Sequence, residues 1–323
     1  MKPCKINNYS KYILSLILIS SVLSSAEQLC RTQMIMGTYA SLCAPIKQKK
    51  VIEEGFNRLK SVEQSLSSYS KNAYIYKLNK NLHVNLNIDT YEALLKSYRY
   101  YILSDGYFNI MIGSITKKIY RFGDNEHLAK ESELDSASVL IDGIDFNEEE
   151  ARLTSNSSVD LGGMGKGFGV DKVHEIYKHQ NIKEGKIALS GDIRCVSTCK
   201  ISITNPFKPH KAIATFNTKH KGMGISTSGN YYRYVQNKRH NHLINPKIKR
   251  SAIIFASITL IGNISSSDLD AYATAASVMP LQQAISFLNS QRLGYILFTT
   301  DATKIVSSNI DQFVNNLCIE PSY

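Results

Sequence analysis

Two oxygen-bearing side chains, Asp270 and Thr274, stand four residues apart in the helix-like stretch SSDLDAYATAASVM. On a helix, residues at this spacing share one face, so the carboxylate and the hydroxyl can bind one hard divalent cation together. The same spacing is also typical of a helix with an acidic residue near its start and a threonine bonded back to its own backbone. The pattern alone leaves both interpretations open.

A second candidate is the segment 159–171, VDLGGMGKGFGVD, in which glycines surround Lys166. Its spacing matches neither the dinucleotide fingerprint nor the P-loop. An apolar helical pattern follows from Gly169, and free N–H groups at the start of a helix can bind an anion. A tight turn between a strand and a helix, without a ligand, is the alternative. We expect Asp160 and Asp171 to fix the turn by accepting backbone N–H bonds.

The elements that must position these residues alternate between helical and strand patterns, without repeats or a clear linker. Apolar residues recur at helical spacing along KKVIEEGFNRLKSVEQSLSSY, and a second amphipathic helix is predicted to start at Asp89. Short strands dominate after the glycine-rich segment, until a helix from about Ser266 to Ser290 that Pro280 interrupts. This segregation predicts an α+β fold with antiparallel sheet, built as one domain.

The composition is that of a globular protein with a sizeable core, since 43% of the 323 residues are hydrophobic. A net charge of +11 suits an anionic substrate or a membrane surface, although scattered basic residues are also typical of a solvated lysine-rich face. No basic stripe is interleaved with aromatic residues, which argues against nucleic acid as a partner.

Residues 1–26 carry the features of a signal peptide. Lys2, Lys5 and Lys11 form a basic start, residues 12–23 are apolar, and Ser24-Ser25-Ala26 offers a small-residue cleavage site. The apolar stretch is shorter than a membrane-spanning helix requires. We therefore expect a soluble exported protein whose mature domain is residues 27–323.

The cysteines are consistent with export. Cys195 and Cys199 bracket the segment VST, which could be a hairpin tip closed by a disulfide. A zinc site is not expected, because no second close pair of cysteines or histidines completes a set of four ligands.

Several stretches, taken in order, cover nearly the whole mature chain: MIMGTYASL, VDLGGMGKGFGVD, ALSGDIRCV, ISTSGNYYRY, HNHLINP and SSDLDAYATAASVM. Together they resemble the ApbE family of FAD:protein FMN transferases. The motifs of that family run approximately M-G-T, D-L-G-G-x-A-K-G-x-x-x-D, G-G-D-I, T-S-G-x-Y, H-x-I-D-P-x-T-G and A-D-A-L-A-T-A. The resemblance implies a single α+β domain with mixed or antiparallel sheets flanked by helices.

The resemblance also implies an enzyme. Family members split FAD between its phosphates with Mg²⁺, transfer FMN to a threonine or serine hydroxyl of another exported protein, and release AMP. FAD is then the substrate, Mg²⁺ the cofactor, and the partner an exported or membrane-bound flavin acceptor, such as a subunit of a sodium-translocating or electron-transport reductase complex. The implied location is the periplasm, either free or in peripheral association with the inner membrane.

Site residues follow from the same motifs. The metal ligands would be Asp270, Thr274 and the backbone carbonyl of Gly165, and we expect the Asp270 carboxylate to be exposed. His242 is the candidate general base because a histidine pKa of about 6.5 suits neutral pH, with Asp270 as an alternative base and Lys166 as a charge partner of the phosphates. A hydrogen-bonded strand histidine is the alternative for His242. The residues expected to contact FAD are Met36, Gly37, Thr38, Ser68, Tyr69, Asn109, Lys166, Asp192, Thr227, Ser228, Gly229 and His242.

The chain departs from the family pattern at several positions. Asn109 and Met111 replace the aspartate and the threonine of F-D-x-T, Asn245 replaces the aspartate of I-D-P, and Ser190 replaces a glycine before Asp192. Either the flavin contacts are rebuilt, or rate and specificity differ. Two other functions therefore stay open: an FAD-binding carrier without transferase activity, and an FAD pyrophosphatase that gives FMN and AMP.

Overall fold

The computed structural model describes residues 27–208 and 210–321. The predicted signal peptide, residues 1–26, lies outside these ranges. No helix in the described ranges is both long and apolar enough to cross a lipid bilayer.

Helices and strands are interspersed along the chain. The helices are α1 (Lys50–Leu66), α2 (Tyr74–Asn81), α3 (Ile88–Leu103), α4 (Gly113–Thr116), α5 (Glu131–Ser136), α6 (Gly165–His179), α7 (Ser266–Val278) and α8 (Leu281–Ser290). The strands are β1 (Gln28–Ile35), β2 (Thr38–Pro45), β3 (His83–Asn85), β4 (Ile144–Phe146), β5 (Glu150–Leu153), β6 (Lys186–Leu189), β7 (Asp192–Cys195), β8 (Lys200–Thr204), β9 (Ala212–Thr218), β10 (Gly224–Gly229), β11 (Ile244–Asn245), β12 (Arg250–Ser251), β13 (Phe255–Gly262), β14 (Gly294–Thr299), β15 (Lys304–Val306) and β16 (Val314–Ile319).

The strands of the described ranges form one large sheet and three small ones. The large sheet has eight strands in the order β1-β2-β6-β7-β10-β13-β14-β15. Two three-stranded sheets, β16-β9-β8 and β3-β5-β4, and the pair β11-β12 accompany it. All of these pairings are antiparallel. The predicted α+β fold is confirmed, and its sheets are antiparallel rather than mixed.

The large sheet is covered on both faces where the site lies. Successive side chains of a strand point to opposite faces, and on β13 Leu260 packs in the cluster around α7 while Ile261 packs against the sheet β16-β9-β8. At the other end of the sheet, α1 and α6 pack together on β2 and β6 through Phe56 and Val173. Helices α6 and α7 therefore pack directly against the strands.

The predicted helices are present, with small shifts at their ends. Helix α3 begins one residue earlier than expected, because the Asn87 side chain caps it by accepting the N–H of Thr90 at 2.9 Å. Pro280 interrupts the late helix as predicted, since it separates α7 from α8.

The glycine-rich segment differs from its prediction. Helix α6 begins at Gly165 instead of Gly169, so several of the glycines lie inside the helix. The reason is close packing, because a Cβ on Gly167 would stand 2.2 Å from the carbonyl oxygen of Ser266 at the start of α7. These glycines thus allow two helices to approach each other.

Two disulfides are present within residues 27–208 and 210–321. The predicted bond between Cys195 and Cys199 joins the end of β7 to the segment before β8, with Cα atoms 5.9 Å apart. A second bond, which the sequence did not indicate, joins Cys30 and Cys43, directly opposite each other on β1 and β2.

Candidate active site

A cleft of about 1020 Å³ brings together residues from the motifs along the whole chain. The predicted site residues that line it are Met36, Gly37, Thr38, Ser68, Tyr69, Asn109, Gly165, Lys166, Thr227, Ser228, Gly229, His242, Asp270 and Thr274. The volume lies at the upper end of the range for small-molecule sites. A large ligand such as a dinucleotide therefore suits the cleft.

The central feature of the cleft is a lysine between two buried carboxylates. The Nζ of Lys166 lies 3.0 Å from Oδ2 of Asp192 and 3.2 Å from Oδ1 of Asp270. Asp192 does not line the cleft but lies beneath the lysine, where its Oδ1 accepts a hydrogen bond of 2.6 Å from Ser226. The structure therefore places Asp192 as support for Lys166 rather than as a surface that a ligand would touch.

The charges in this cluster do not cancel. Burial alone would lower the pKa of Lys166, but the carboxylates of Asp192 and Asp270 outweigh it and raise that pKa above its ordinary value. Burial and the nearby carboxylate of Asp270 raise the pKa of Asp192 to about 7, although Lys166 acts in the opposite direction. The lysine stays charged at neutral pH, whereas the raised pKa of Asp192 shows that one ammonium does not fully stabilise two neighbouring carboxylates.

Asp270 is held by the helix opposite it. Its Oδ2 accepts the backbone N–H of Gly167 at 3.0 Å, and its side chain is only 2% exposed, so the expectation of an exposed carboxylate is wrong. The N–H of Gly165 is also used, since it donates to the carbonyl of Leu161 at 2.9 Å. The expectation of free N–H groups at the start of this helix therefore fails for both glycines.

Asp171 and Asp160 have structural roles, as predicted, but only Asp160 fixes the glycine-rich turn. Asp160 accepts the N–H of Gly162 at 2.9 Å. Asp171 instead caps α7, because its carboxylate accepts the backbone N–H groups of Ser266 and Ser267 at 2.7 and 2.9 Å. This contact sets the start of the helix that carries Asp270 and Thr274.

The donor set fits a hard divalent cation. No cluster of three or more His, Cys, Asp or Glu side chains within residues 27–208 and 210–321 could hold a metal. A cation here would rely on the Asp270 carboxylate, the Thr274 hydroxyl and a backbone carbonyl, oxygen donors of the kind that Mg²⁺ accepts. The Thr274 hydroxyl donates to the carbonyl of Gly163 at 3.0 Å. Two buried carboxylates, Asp192 and Asp270, share the single ammonium of Lys166, and this local excess of acidic groups fits a cation nearby.

His242 is arranged as a base. Its Nδ1 lies 3.2 Å from the carbonyl oxygen of Arg233, which can only accept, so Nδ1 carries the hydrogen and Nε2 keeps its lone pair. Burial lowers the pKa of His242 to about 4, and the charge of Arg233 acts in the same direction. The imidazole is therefore neutral at physiological pH, as a general base must be.

Comparison with known proteins identifies the family of this chain. The sequence model of the ApbE family matches residues 36–297. The chain belongs to the ApbE family. A curated relative, the FAD:protein FMN transferase of Haemophilus influenzae, is 26% identical over 288 residues, which cover 81% of this chain and 82% of that protein. The predicted membership in an enzyme family is thereby confirmed.

Solved ApbE structures share the fold. The flavin transferase ApbE from Vibrio cholerae superposes with a TM-score of 0.78 at 20% identity, covering 89% of this chain and 99% of that one. The apo form of the Pseudomonas stutzeri flavinyl transferase ApbE gives 0.76 at 17% identity, covering 90% of this chain and 98% of that one. At these identities the likeness shows the fold alone.

Where this chain departs from the ApbE pattern, the substituted residues are built into the structure. Asn109 accepts the N–H of Met111 at 2.9 Å and donates its amide to the carbonyl of Val139 at 2.8 Å. Asn245 likewise donates its amide to the carbonyl of Val278 at 2.8 Å, a bond that an ionised aspartate could not donate. The side chain of Met111 is fully buried. These substitutions therefore preserve the local fold.

Residues in the M-G-T and G-G-D-I motifs have left-handed backbone conformations. Met36 and Gly37 form the two-residue turn between β1 and β2, with φ of 56° and 68°, and the N–H of Met36 donates to Oε1 of Glu63 at 2.9 Å. Ser190, which replaces a glycine, keeps a φ of 53°. The loss of glycine at that position therefore leaves the turn before Asp192 in place.

The sequence did not indicate Lys117 as a site residue. Its Nζ donates to the Tyr69 hydroxyl at 2.6 Å and lies 3.8 Å from the centre of that ring, and both residues line the cleft. The Tyr69 hydroxyl donates to the carbonyl of Phe122 at 2.8 Å, which fixes the ring at the edge of the cleft. Nothing in the local pattern ITKKIY distinguishes Lys117 from Lys118, because only the tertiary structure brings Tyr69 to it.

Proposed function

We propose that this chain is a Mg²⁺-dependent FAD:protein FMN transferase that moves FMN from FAD to a threonine or serine hydroxyl of an acceptor protein. The observation that carries the proposal is the convergence of Lys166, His242, Asp270 and Thr274 on one cleft, although they lie far apart in sequence. The function named for the Haemophilus influenzae relative supports it.

The reaction requires one bond to form and one to break. The acceptor hydroxyl oxygen attacks the phosphorus on the FMN side of the pyrophosphate, and the bond from that phosphorus to the bridging oxygen breaks. FMN becomes a phosphoester of the acceptor, AMP leaves with the bridging oxygen, and the hydroxyl proton needs a base. Nε2 of His242 is the candidate, because it is unprotonated and lines the same cleft.

Lys166 would offset the charge that develops on the phosphates. Its ammonium stays protonated between Asp192 and Asp270, and its side chain is 30% exposed toward the cleft. Mg²⁺ bound by Asp270, Thr274 and the Gly165 carbonyl would further neutralise the pyrophosphate oxygens. Asp270 would then serve the cation rather than act as the base.

The mature domain would be residues 27–323, exported by the segment 1–26 to the periplasm, where it is free or peripherally bound to the inner membrane. The acceptor would be an exported or membrane-bound protein, such as a subunit of a sodium-translocating or electron-transport reductase complex. The features of residues 1–26 and the implications of family membership support these points.

The test uses residues 27–323, FAD, Mg²⁺ and an extract of periplasmic and membrane proteins from the source organism lacking this gene. We expect a discrete protein band with flavin fluorescence after denaturing electrophoresis, a mass gain of one FMN on that protein, and AMP in the supernatant. A His242→Gln variant is the control. FMN and AMP without a labelled protein would identify a pyrophosphatase instead, and FAD binding without either product would identify a carrier.

A further inference from the structure

Strand β8 presents its edge to the cleft. It is the outer strand of the sheet β16-β9-β8, so only one of its sides is paired within residues 27–208 and 210–321. Four consecutive residues, 201–204, line the cleft. Because successive side chains of a strand point to opposite faces, four in a row can line one cavity only when the strand turns its edge toward it.

The hydrogen-bond pattern shows which main-chain groups face that edge. Cys199 accepts the N–H of Thr218 at 2.9 Å, and the N–H of Asn205 donates to the carbonyl of Lys211 at 2.8 Å, so both residues bond on the side of β9. Bonding direction alternates along a strand, and Ser202 therefore points its N–H and C=O away from β9. Within residues 27–208 and 210–321, the main chain of Ser202 makes no hydrogen bond outside the pairing of β8 with β9.

Apolar side chains of the large sheet line the space beside this edge. The segment between β7 and β8 is closed by the Cys195–Cys199 disulfide. From this point the two strands diverge, because β7 belongs to the large sheet and β8 to a three-stranded one. Ile193 and Ile225 of the large sheet line the cleft next to β8. An extended chain laid along β8 would thus have main-chain partners on one side and apolar side chains beneath it.

We propose that the acceptor protein binds here as an added β-strand paired to the free edge of β8. This inference rests on the proposed function, because it concerns the second substrate of that reaction. Main-chain groups of a strand edge bind an extended polypeptide, and Ile193 and Ile225 select for apolar residues among its alternate side chains. The occupant is an extended acceptor segment whose side chains facing Ile193 and Ile225 are apolar, with the hydroxyl at the end toward Lys166.

The test compares two proline variants of the same strand. Ser202→Pro removes an edge N–H facing the cleft without removing a β8–β9 bond, and Lys200→Pro does the same at a residue that does not line the cleft. The probe is the acceptor that the wild-type enzyme labels in the fluorescence assay above. We expect Ser202→Pro to raise the acceptor KM by about 10-fold, the effect of losing one good hydrogen bond, and Lys200→Pro to leave it unchanged.

A second measurement uses the unaltered edge. In the His242→Gln enzyme, which keeps the strand and blocks turnover, hydrogen exchange of residues 200–204 should slow when the acceptor is added. A wild-type KM for Ser202→Pro, or no change in exchange at the edge, would overturn the inference while leaving the transferase function intact. A loss of the FAD-induced rise in Tm in Ser202→Pro would also overturn it, since FAD would then occupy the edge. A wild-type enzyme that labels no protein would instead refute the proposed function.

Discussion

The backbone N–H of Gly167 donates a hydrogen bond to Oδ2 of Asp270 across 3.0 Å. This bond joins the first turn of α6, which carries Lys166, to the buried helix α7. The relative position of the ammonium and the candidate metal ligand therefore depends on how closely the two helices approach.

Two glycines of α6 should respond differently to alanine. A Cβ on Gly165 meets only Cδ1 of Leu66 at 3.9 Å, whereas a Cβ on Gly167 would stand 2.2 Å from the carbonyl oxygen of Ser266. We expect Gly165→Ala to transfer FMN at nearly the wild-type rate and Gly167→Ala to lower both Tm and rate, because α7 must move. Single-turnover transfer at saturating FAD and Mg²⁺ measures both variants. Equal rates for the two would show that the helix contact does not position the site.

Lys166→Met tests the charge at the centre of the cluster. Methionine keeps the length and loses the ammonium, so we expect transfer to slow by about 10- to 1,000-fold, as when one electrostatic contact to a transition state is lost. Lys172→Met is the matched control, because Lys172 is a buried lysine of the same helix that pairs with Glu92 and does not line the cleft. The control should lose stability but keep its rate per folded enzyme. Full activity of Lys166→Met would remove the lysine from the mechanism.

Asp270→Asn should separate metal binding from folding. Asn can still accept the Gly167 N–H, so the buried contact survives while the charge is lost, which alanine at this buried position would not achieve. We expect a folded protein without Mg²⁺-dependent transfer. Thr274→Val should raise the Mg²⁺ concentration for half-maximal activity by about 10-fold, through loss of one hydroxyl donor. Mg²⁺ titrations of activity and of Tm test both, and near-normal activity of Asp270→Asn would reject the cation site.

The activity of the free enzyme should persist at acidic pH. His242 acts as a base only when neutral, and its pKa of about 4, lowered by burial and by Arg233, keeps it neutral well below the ordinary histidine value. The negative charge of Asp160 acts to raise this pKa, whereas the positive charge of Lys166 lowers it further, as that of Arg233 does. We expect kcat/KM to stay level from pH 7 to about 5, whereas an ordinary histidine would lose activity near pH 6.5. An acid limb centred near 6.5 would contradict this environment.

The lowered pKa of His242 also makes the free energy of unfolding depend on pH. The unfolded chain takes up the proton first, because its histidine pKa is the higher one. The stabilising contribution of a neutral His242 is therefore present above the unfolded value and is lost as pH falls toward 4. His242→Gln should flatten this part of the dependence of Tm on pH and slow transfer by about 100- to 10,000-fold.

Local patterns in the sequence determined much of the scaffold. The apolar spacing of α1 predicts a buried face, and Ile52, Phe56, Leu59, Val62 and Leu66 are all buried. The break at Pro280 follows from its ring and its missing N–H. The order of the motifs was sufficient to indicate the family, and most of the site residues predicted from those motifs line the cleft. These features depend on chain order and on residues close in sequence.

Only the tertiary structure decided what each charged or glycine residue does. Position 167 requires glycine because a Cβ there would collide with the carbonyl oxygen of Ser266. Asp171 caps a helix that comes much later in the chain. Asp192 lies beneath Lys166 instead of facing the cleft. The free edge of β8 exists because the chain leaves the large sheet after β7 and joins another. Such contacts depend on sheet order and helix packing, which unite residues distant in sequence, and no local periodicity encodes them.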